Sequence, residues 1–252
     1  MKISIITATY HSEKTIKQTI ESVLGQTYSD YEHIFVDGLS KDHTIEIIQS
    51  YEKQYQGRCR YISQKDTGLY DAMNKGIQMA TGDIIGILNS DDIYASKEVL
   101  QKIADTFEKE SCDGTYGNLI FMDEQTMSIP QRIWKSEIGD VNKGWHPAHP
   151  TLYLKKQVYD KVGLFNLQYR IAADYDFMIR MLQDKQIKLS YINADIVYMR
   201  TGGASTDGLK GYMKNLKEAH QVLKANHIPH PYLVDTRRII KTIGQMVYSK
   251  LK

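Results

Sequence analysis

Four consecutive oxygen-bearing side chains, Asn89, Ser90, Asp91 and Asp92, follow a short apolar run of Ile84, Ile85, Ile87 and Leu88. The run has the length of a strand covered on both faces. Adjacent carboxylates at the end of such a strand repel each other unless a cation joins them. In open α/β sheets the carboxyl end of a strand is where ligands bind. Hard oxygen ligands there suit Mg²⁺ or Mn²⁺, which also bridge to phosphate oxygens. The same residues read equally as a helix cap, with Ser90 or Asp91 opening a helix through Ala95–Phe107.

The elements before this point set its context. Ile3–Ala8 reads as a buried strand. Ser12 then caps a helix with apolar positions at Ile16, Ile20, Val23 and Leu24. Tyr31–Val36 and Cys59–Ile62 read as further strands, with a helix through Ile45, Ile47, Ile48 and Tyr51 between them, capped by Ser40 or Asp42. Leu69–Met79 is a helix closed by Thr81 and Gly82. Strands and helices alternating in this way predict an α/β domain with a parallel sheet and right-handed crossovers. Its strand ends bring Thr9, Asp37, Asp66 and the Asp91–Asp92 pair to one crevice of nucleotide size. The Gly-rich dinucleotide and P-loop fingerprints are absent, which argues against a dehydrogenase or an ATPase.

Composition bounds the class. The chain has 252 residues, 42% hydrophobic and 25% charged, as in ordinary soluble domains. A net charge of +2 implies no general nucleic-acid electrostatics. Cys59 and Cys112 are the only cysteines, and no apolar run reaches membrane-spanning length. The expectation is a reducing, cytoplasmic setting with two free thiols. The second half is less regular. Strands are expected at Asp113–Met122, Arg132–Trp134, Leu152–Leu154 and within Leu189–Met199, and helices at Lys155–Val162, from Ala172 onward, at Leu209–Leu223 and at Asp235–Leu251. Thr201–Ser205 reads as a flexible loop, and Pro229 and Pro231 mark a break.

Five segments together resemble the bacterial inverting family-2 glycosyltransferases with the GT-A fold. They are Thr7–Tyr10, Val36–Thr44, Asp66–Gly76, Asn89–Asp92, and the pair His149–Thr151 with Ala172–Asp176. Each motif alone is weak, but their shared order over residues 2–205 is specific. The resemblance implies a Rossmann-like, mostly parallel nucleotide-binding sheet, continuous with a smaller acceptor-binding part. The corresponding division is 1–110 for the nucleotide sugar, 111–205 for the acceptor, and 206–252 as C-terminal helices.

The resemblance also implies an activity: transfer of a sugar from a UDP-sugar (glucose, galactose or N-acetylglucosamine) to a sugar acceptor. A polyprenyl-diphosphate-linked acceptor, in surface-polysaccharide assembly of the O-antigen or capsule kind, fits the family. Thr7, Thr9, Tyr10, Asp37, Asp66, Asp71, Asn74, Lys75, Asn89, Asp91 and Arg200 would face the donor. Asp91 and Asp92 would hold Mn²⁺ or Mg²⁺ as a Lewis acid, with Asp92 the more important. Asp174 would be the base that takes the acceptor's proton, a single carboxylate sufficing for inversion. His149 and Asp176 would face the acceptor, Asp176 also being the rival base. Two positions depart from the family pattern: Asn89 stands first in its D-x-D motif, and Ala173 stands where Glu is frequent.

Simpler readings stand beside these. Asp71 and Lys75 are an ordinary i,i+4 pair. Asp37 and Asp66 are turn formers beside glycine, and Asp174 and Asp176 are acids at a helix start. Arg200 suits a surface ion pair. Pro147 between His146 and His149 argues against a zinc-binding helix face, which leaves His146 either a structural histidine or part of a loop near the acceptor sugar. Ile239, Ile240, Ile243, Met246 and Val247 share one helical face among Arg237, Arg238, Lys241, Lys250 and Lys252. Such a face serves the inner membrane surface as a peripheral anchor, the domain itself, or a homodimer. The competing functional classes are a nucleotidyltransferase and a non-catalytic sugar-nucleotide-binding protein.

Overall fold

All seven residues of β1 (Ile3–Thr9) are buried. A strand hidden on both faces needs a helical layer on each side. The computed structural model describes residues 1–202 and 208–250. Its first half runs β1, α1 (Ile16–Leu24), β2 (Tyr31–Asp37), α2 (Thr44–Ser50), α3 (Glu52–Tyr55), β3 (Cys59–Ser63), α4 (Leu69–Met79), β4 (Ile84–Ile87), β5 (Ile93–Tyr94) and α5 (Val99–Lys109). The second half runs β6 (Gly114–Met122), β7 (Pro130–Trp134), β8 (Tyr153–Lys155), α6 (Lys156–Val162), α7 (Ala173–Gln183), β9 (Leu189–Arg200), α8 (Gly208–Ala225) and α9 (Pro231–Lys250).

The strands form one sheet in the order β3-β2-β1-β4-β8-β6-β9-β5, with β7 added on β6. β1 pairs in parallel with β2 and β4, and β2 with β3. Antiparallel β8 then joins β4 to β6. β6 and β9 are parallel, so the sheet is mixed but mostly parallel. One core packs α4, α6, α7 and α8 on one face through Met73, Val158, Phe177 and Val222. The other packs α1 and α5 through Ile16, Ile20, Val99 and Ile103 on the opposite face. A Cβ at Gly76 would lie 2.3 Å from Ile6 Cγ2, so only glycine lets α4 sit this close to β1.

Several sequence expectations are corrected. The helix expected from Ala95 begins at Val99, because Ile93 and Tyr94 pair with Tyr198 and Val197 of β9. Neither Ser90 nor Asp91 caps it, so the cap reading of the acidic cluster falls. Ser12 is not the cap residue of α1, which starts at Ile16. Its carbonyl accepts from Ile16 N, while its hydroxyl meets Ser90 Oγ at 2.9 Å. The last helix starts at Pro231 rather than Asp235, as a first-turn proline permits. Ala219, Val222, Leu223 and Val234 belong to the main core, so α8 and α9 are continuous with the body. The boundary expected at 205, and Gly203–Ser205 of the expected loop, lie outside the described residues. Cys59 and Cys112 are free thiols. Among the described residues no helix is long and apolar enough to cross a membrane.

Candidate active site

The parallel strands β1, β2 and β3 end side by side, and their last residues build one wall of a cleft. Asp37, fully buried, accepts from Thr9 Oγ1 (3.2 Å), Ser40 N (3.0 Å), Ser40 Oγ (2.5 Å) and Ser63 Oγ (2.6 Å). Four donors occupy the four lone-pair directions of a carboxylate. Asp37 therefore shapes the Gly38–Ser40 loop rather than offering a free oxygen, which corrects its expected direct contact with the nucleotide. Asp66 does offer one: its Oδ1 accepts from Gly68 N, and its Oδ2 faces Gly38. A Cβ at Gly38 would stand 2.6 Å from that oxygen and 3.3 Å from the Tyr10 ring, so glycine keeps a flat floor between them. The Tyr10 ring is 64% exposed and stacked on His11 at 4.1 Å. An exposed ring beside a free carboxylate oxygen suits a base that stacks and donates N–H groups.

Thr7 does not reach this wall. Its hydroxyl donates to the Leu88 carbonyl (2.7 Å) and lies 2.8 Å from His33 Nε2. Burial pushes His33 down to about 3, so its ring is neutral, with Nε2–H donating to Thr7 and Nδ1 accepting from Tyr55 (2.7 Å). Asn74 is also turned inward. Its amide donates to the Phe165 carbonyl (2.9 Å) and accepts from Phe165 N (3.0 Å), clamping α4 to the chain before α7. Both side chains are thereby corrected from donor contacts to structural roles. Asp71 accepts from Thr67 N (2.9 Å) and pairs with Lys75 (3.4 Å), and these partners hold its carboxyl below the usual range. Lys75 also donates to the Lys65 carbonyl (2.8 Å), fixing the loop that carries Asp66.

The acidic cluster after β4 splits into two unlike groups. Asp92 is fully buried, accepting from Arg200 N (3.2 Å) at Oδ1 and Asn89 Nδ2 (2.9 Å) at Oδ2. Burial first and the charge of Asp91 second push its carboxyl well above the usual range. Hidden and bonded once at each oxygen, Asp92 anchors the loop to the end of β9. Asp91 is only partly buried; burial raises its carboxyl, and the Arg200 charge opposes that rise. Asn89 Oδ1 is hidden and has no hydrogen-bond partner among the described residues. Asn89 also supplies what a carboxylate at its position would not, a donor to the buried Asp92. Arg200 donates from its Nη groups to the Glu124 carbonyl and to Gln18 Oε1 (2.6 Å), while its Nε–H is unpartnered.

The opposite wall is the start of α7. Asp174 Oδ1 accepts from Tyr70 OH (3.0 Å) and from Tyr175 N (2.8 Å). His149 lies against Phe165 (5.5 Å between ring centroids). Burial lowers its basicity while the Asp174 charge opposes that. The short turn His149–Thr151 leads into β8, which pairs with β4. Asp176 is buried instead, bonded to Arg180 Nε (2.9 Å) and Asn226 Nδ2 (2.9 Å), and Arg180 also donates to the Val162 and Leu164 carbonyls. Buried and bonded once at each oxygen, it anchors α7 to the end of α8. His146 is structural: it sits between the Trp134 and Tyr175 rings, and burial pushes it down to about 3.

Sequence reasoning missed two supports of Asp174. Tyr70 lies inside the Asp66–Gly76 segment already singled out, so its place was discoverable. Glu218, on α8, accepts from Ile171 N (2.8 Å) and Ala172 N (3.1 Å) and so fixes the entry to α7. No local pattern marks it, because the contact spans more than forty residues.

This geometry can be set against known proteins. The profile of Glycosyl transferase family 2 matches residues 4–172. The chain belongs to glycosyl transferase family 2. Its sequence is 28% identical over 221 residues to a PGL/p-HBAD biosynthesis glycosyltransferase of Mycobacterium bovis, covering 84% of this chain and 83% of that one. An uncharacterised glycosyltransferase of Nostoc sp. is 29% identical over 185 residues, covering 69% of this chain and 57% of that one. Among solved structures, Staphylococcus aureus TarS 1–349 in complex with UDP-GlcNAc aligns with TM-score 0.67 and 20% identity, over 88% of this chain and 67% of that chain. The same TarS fragment crystallised without a named ligand is covered to 65% of its length, with TM-score 0.66. A Pyrobaculum calidifontis mannosyltransferase in complex with GDP-Man and Mn²⁺ aligns with TM-score 0.69 and 11% identity, over 98% of this chain and 73% of that chain. The fold of this family-2 glycosyltransferase is thus the expected GT-A α/β architecture.

Proposed function

We propose that this family-2 glycosyltransferase transfers a hexose or N-acetylhexosamine from a UDP-sugar to a sugar acceptor, with inversion and with help from a divalent cation. The observation that carries the reading is that the loop after β4 holds both Asp91 and an Asn89 whose Oδ1 is hidden without a hydrogen-bond partner among the described residues. Oxygen donors of this kind fit Mg²⁺ or Mn²⁺. Among the described residues no three His, Cys, Asp or Glu side chains gather as a cage. The fit is therefore to an ion whose remaining ligands come from a diphosphate and water, the usual manner of Mg²⁺. Such an ion would neutralise the charge that grows on the leaving diphosphate. Arg200, already aimed by Gln18, adds a second positive charge beside it.

The protein's own groups supply the rest. Tyr10 and Asp66 would hold the base, and the loop shaped by Asp37 would set its depth. Asp174 would take the acceptor proton from the face opposite the diphosphate, so one displacement inverts the anomeric centre. No second carboxylate is needed for a covalent intermediate. His149, neutral and close to Asp174, would accept or donate a hydrogen bond to the acceptor sugar.

The acceptor we favour is lipid-diphosphate-linked, in assembly of a cell-surface polysaccharide, with the enzyme peripheral on the inner membrane face. The outward apolar residues of α9 beside Arg237 support this location. Relatives named for glycolipid biosynthesis and a neighbour crystallised with UDP-GlcNAc are compatible with it. The test is hydrolysis and transfer with a panel of UDP-sugars, with and without Mn²⁺, in the wild type and in Asp91→Asn and Asp174→Asn. Asp91→Asn should lose metal-stimulated turnover, and Asp174→Asn should lose transfer while still binding UDP. Undiminished turnover in both variants would refute the reading.

A further inference from the structure

Arg132 has no counter-ion among the described residues. It lies on β7, its guanidinium 3.7 Å from the centroid of the Phe121 ring and 5.6 Å from that of Trp134. Among the described residues no carboxylate comes within 4 Å of it, and its Nε–H has no hydrogen-bond partner. Burial lowers its pKa to about 10, and Tyr212, on α8, opposes the fall. A partly buried, unpaired guanidinium is costly. Packing alone would be met more cheaply by an apolar side chain.

A second donor lies beside it. Trp134 is two residues on along the strand and so on the same face of β7. Its indole N–H is also hidden with no partner. Guanidinium and indole are donors only; neither can satisfy the other. The two together lack an acceptor-rich, negatively charged group. Phosphate oxygens match this need, since Arg presents two parallel N–H groups to them and the stacking on Phe121 leaves the guanidinium edge free. A contrast comes from the opposite face of β7. There a hollow of about 750 Å³ carries Lys135, Lys143 and Lys241, but Glu137 and Asp140 line it too. The lysines there have carboxylates beside them, whereas Arg132 has none within 4 Å among the described residues.

The position relates this pair to the reaction. Trp134 packs on His146 (5.1 Å), His146 on Tyr175 (4.9 Å), and Tyr175 follows Asp174 in α7. Arg132 thus lies on the strand whose Trp134 leads, through His146 and Tyr175, to the α7 wall that carries Asp174.

We propose that Arg132 and the Trp134 indole form a phosphate subsite of the acceptor, which grips a phosphate or diphosphate carried by the molecule to be glycosylated. Binding would bring the phosphate oxygens onto Arg132 Nε–H and Trp134 Nε1–H, with Tyr212 shifting to admit them. The proposal rests on the glycosyltransferase reading and refines its acceptor.

The test compares two acceptors that share one sugar, an alkyl glycoside and an alkyl-diphosphate sugar, in wild type, Arg132→Met and Arg132→Lys. Arg132→Met keeps the packing on Phe121 and removes the charge. It should raise KM for the diphosphate acceptor at least tenfold, leaving KM for the neutral glycoside and the rate of UDP-sugar hydrolysis unchanged. Arg132→Lys should fall between. Equal effects on both acceptors, or none on either, would overturn the proposal. A soluble sugar phosphate and a long-chain lipid diphosphate in vesicles then separate the two sources of phosphate. The one whose KM depends on Arg132 is the ligand.

A direct measurement stands apart from activity. Trp134 and Trp145 are the only tryptophans, so Trp145→Phe isolates the Trp134 fluorescence. With UDP saturating the donor site, inorganic pyrophosphate should perturb that signal, and Arg132→Met should abolish the response. No response in the Arg132-containing protein would overturn the subsite even if UDP-sugar transfer is confirmed. A response in a protein that transfers no sugar would keep the subsite and reject the glycosyltransferase reading.

Discussion

The hydroxyl of Tyr70 lies 3.0 Å from Asp174 Oδ1 and 2.8 Å from the Ile171 carbonyl. Tyr70 is the second residue of α4, immediately after the Asp66–Gly68 loop, whereas Asp174 opens α7 more than a hundred residues later. One side chain therefore ties the donor loop to the candidate base. Burial first and Asp174 second push the Tyr70 hydroxyl well above its usual range, so it stays protonated and donates.

Tyr70→Phe should leave the fold intact, since the ring keeps its packing on Phe165. It removes one hydrogen bond to a charged group, worth about 1.5–3 kcal/mol. Part of that orients Asp174, so kcat for transfer should fall roughly tenfold. KM for the UDP-sugar should not change, because no donor contact is touched. A rise in donor KM with kcat constant would show that Tyr70 serves the nucleotide side instead.

Much of the fold was legible in the sequence because its signals are local. Buried parallel strands such as Ile3–Thr9 announce themselves as short runs rich in isoleucine and other β-branched residues, and α4 by its apolar period. The site was legible as a set of strand-end residues, but not in its division of labour. Asp37, Asn74, Asp92 and Asp176 each bond partners distant in sequence, Ser63, Phe165, Arg200 and Asn226, which no local pattern announces. A polar residue at a strand end is drawn equally to a ligand and to the loop beside it, and only the tertiary partners decide. The Ser90 cap failed for a related reason. Long-range pairing of Ile93 and Tyr94 with β9 overrode local helix chemistry.

Stability should depend on acid through Glu32. Its carboxylate accepts from Ser4 Oγ (2.6 Å), Thr81 N (2.7 Å) and Thr81 Oγ1 (2.8 Å), with Lys2 and Arg60 at 3.4 and 3.5 Å. Burial works to raise its pKa, but these bonds and charges outweigh it and hold the group at about 2. The folded value lies below the unfolded value of about 4.3. The stabilisation is therefore complete above that value and is lost as pH falls toward 2, on the order of 3 kcal/mol in all. Glu32→Gln should be less stable at pH 7 and should show a flatter decline between pH 5 and 3. Urea midpoints at several pH values measure both; parallel declines in the two proteins would contradict the assignment.

The last helix carries its apolar residues outward. Tyr232, Ile240 and Ile243 are 71%, 64% and 56% exposed, while Val234 is buried on the other side and packs into the core. At 100° per residue the three exposed side chains share one side of α9. A helix that only packed on the domain would turn this side inward. Arg237 is exposed next to the same side, which suits an anionic surface better than a neutral apolar one. Ile240→Glu with Ile243→Glu should cut binding to anionic vesicles at least tenfold in a sedimentation assay. The melting temperature should barely move, because neither residue is in the core. Equal sedimentation of the variant and the wild type would remove the membrane from the account of α9. If the variant instead turned a wild-type dimer into a monomer without affecting vesicle binding, the stripe would belong to a second copy of the chain.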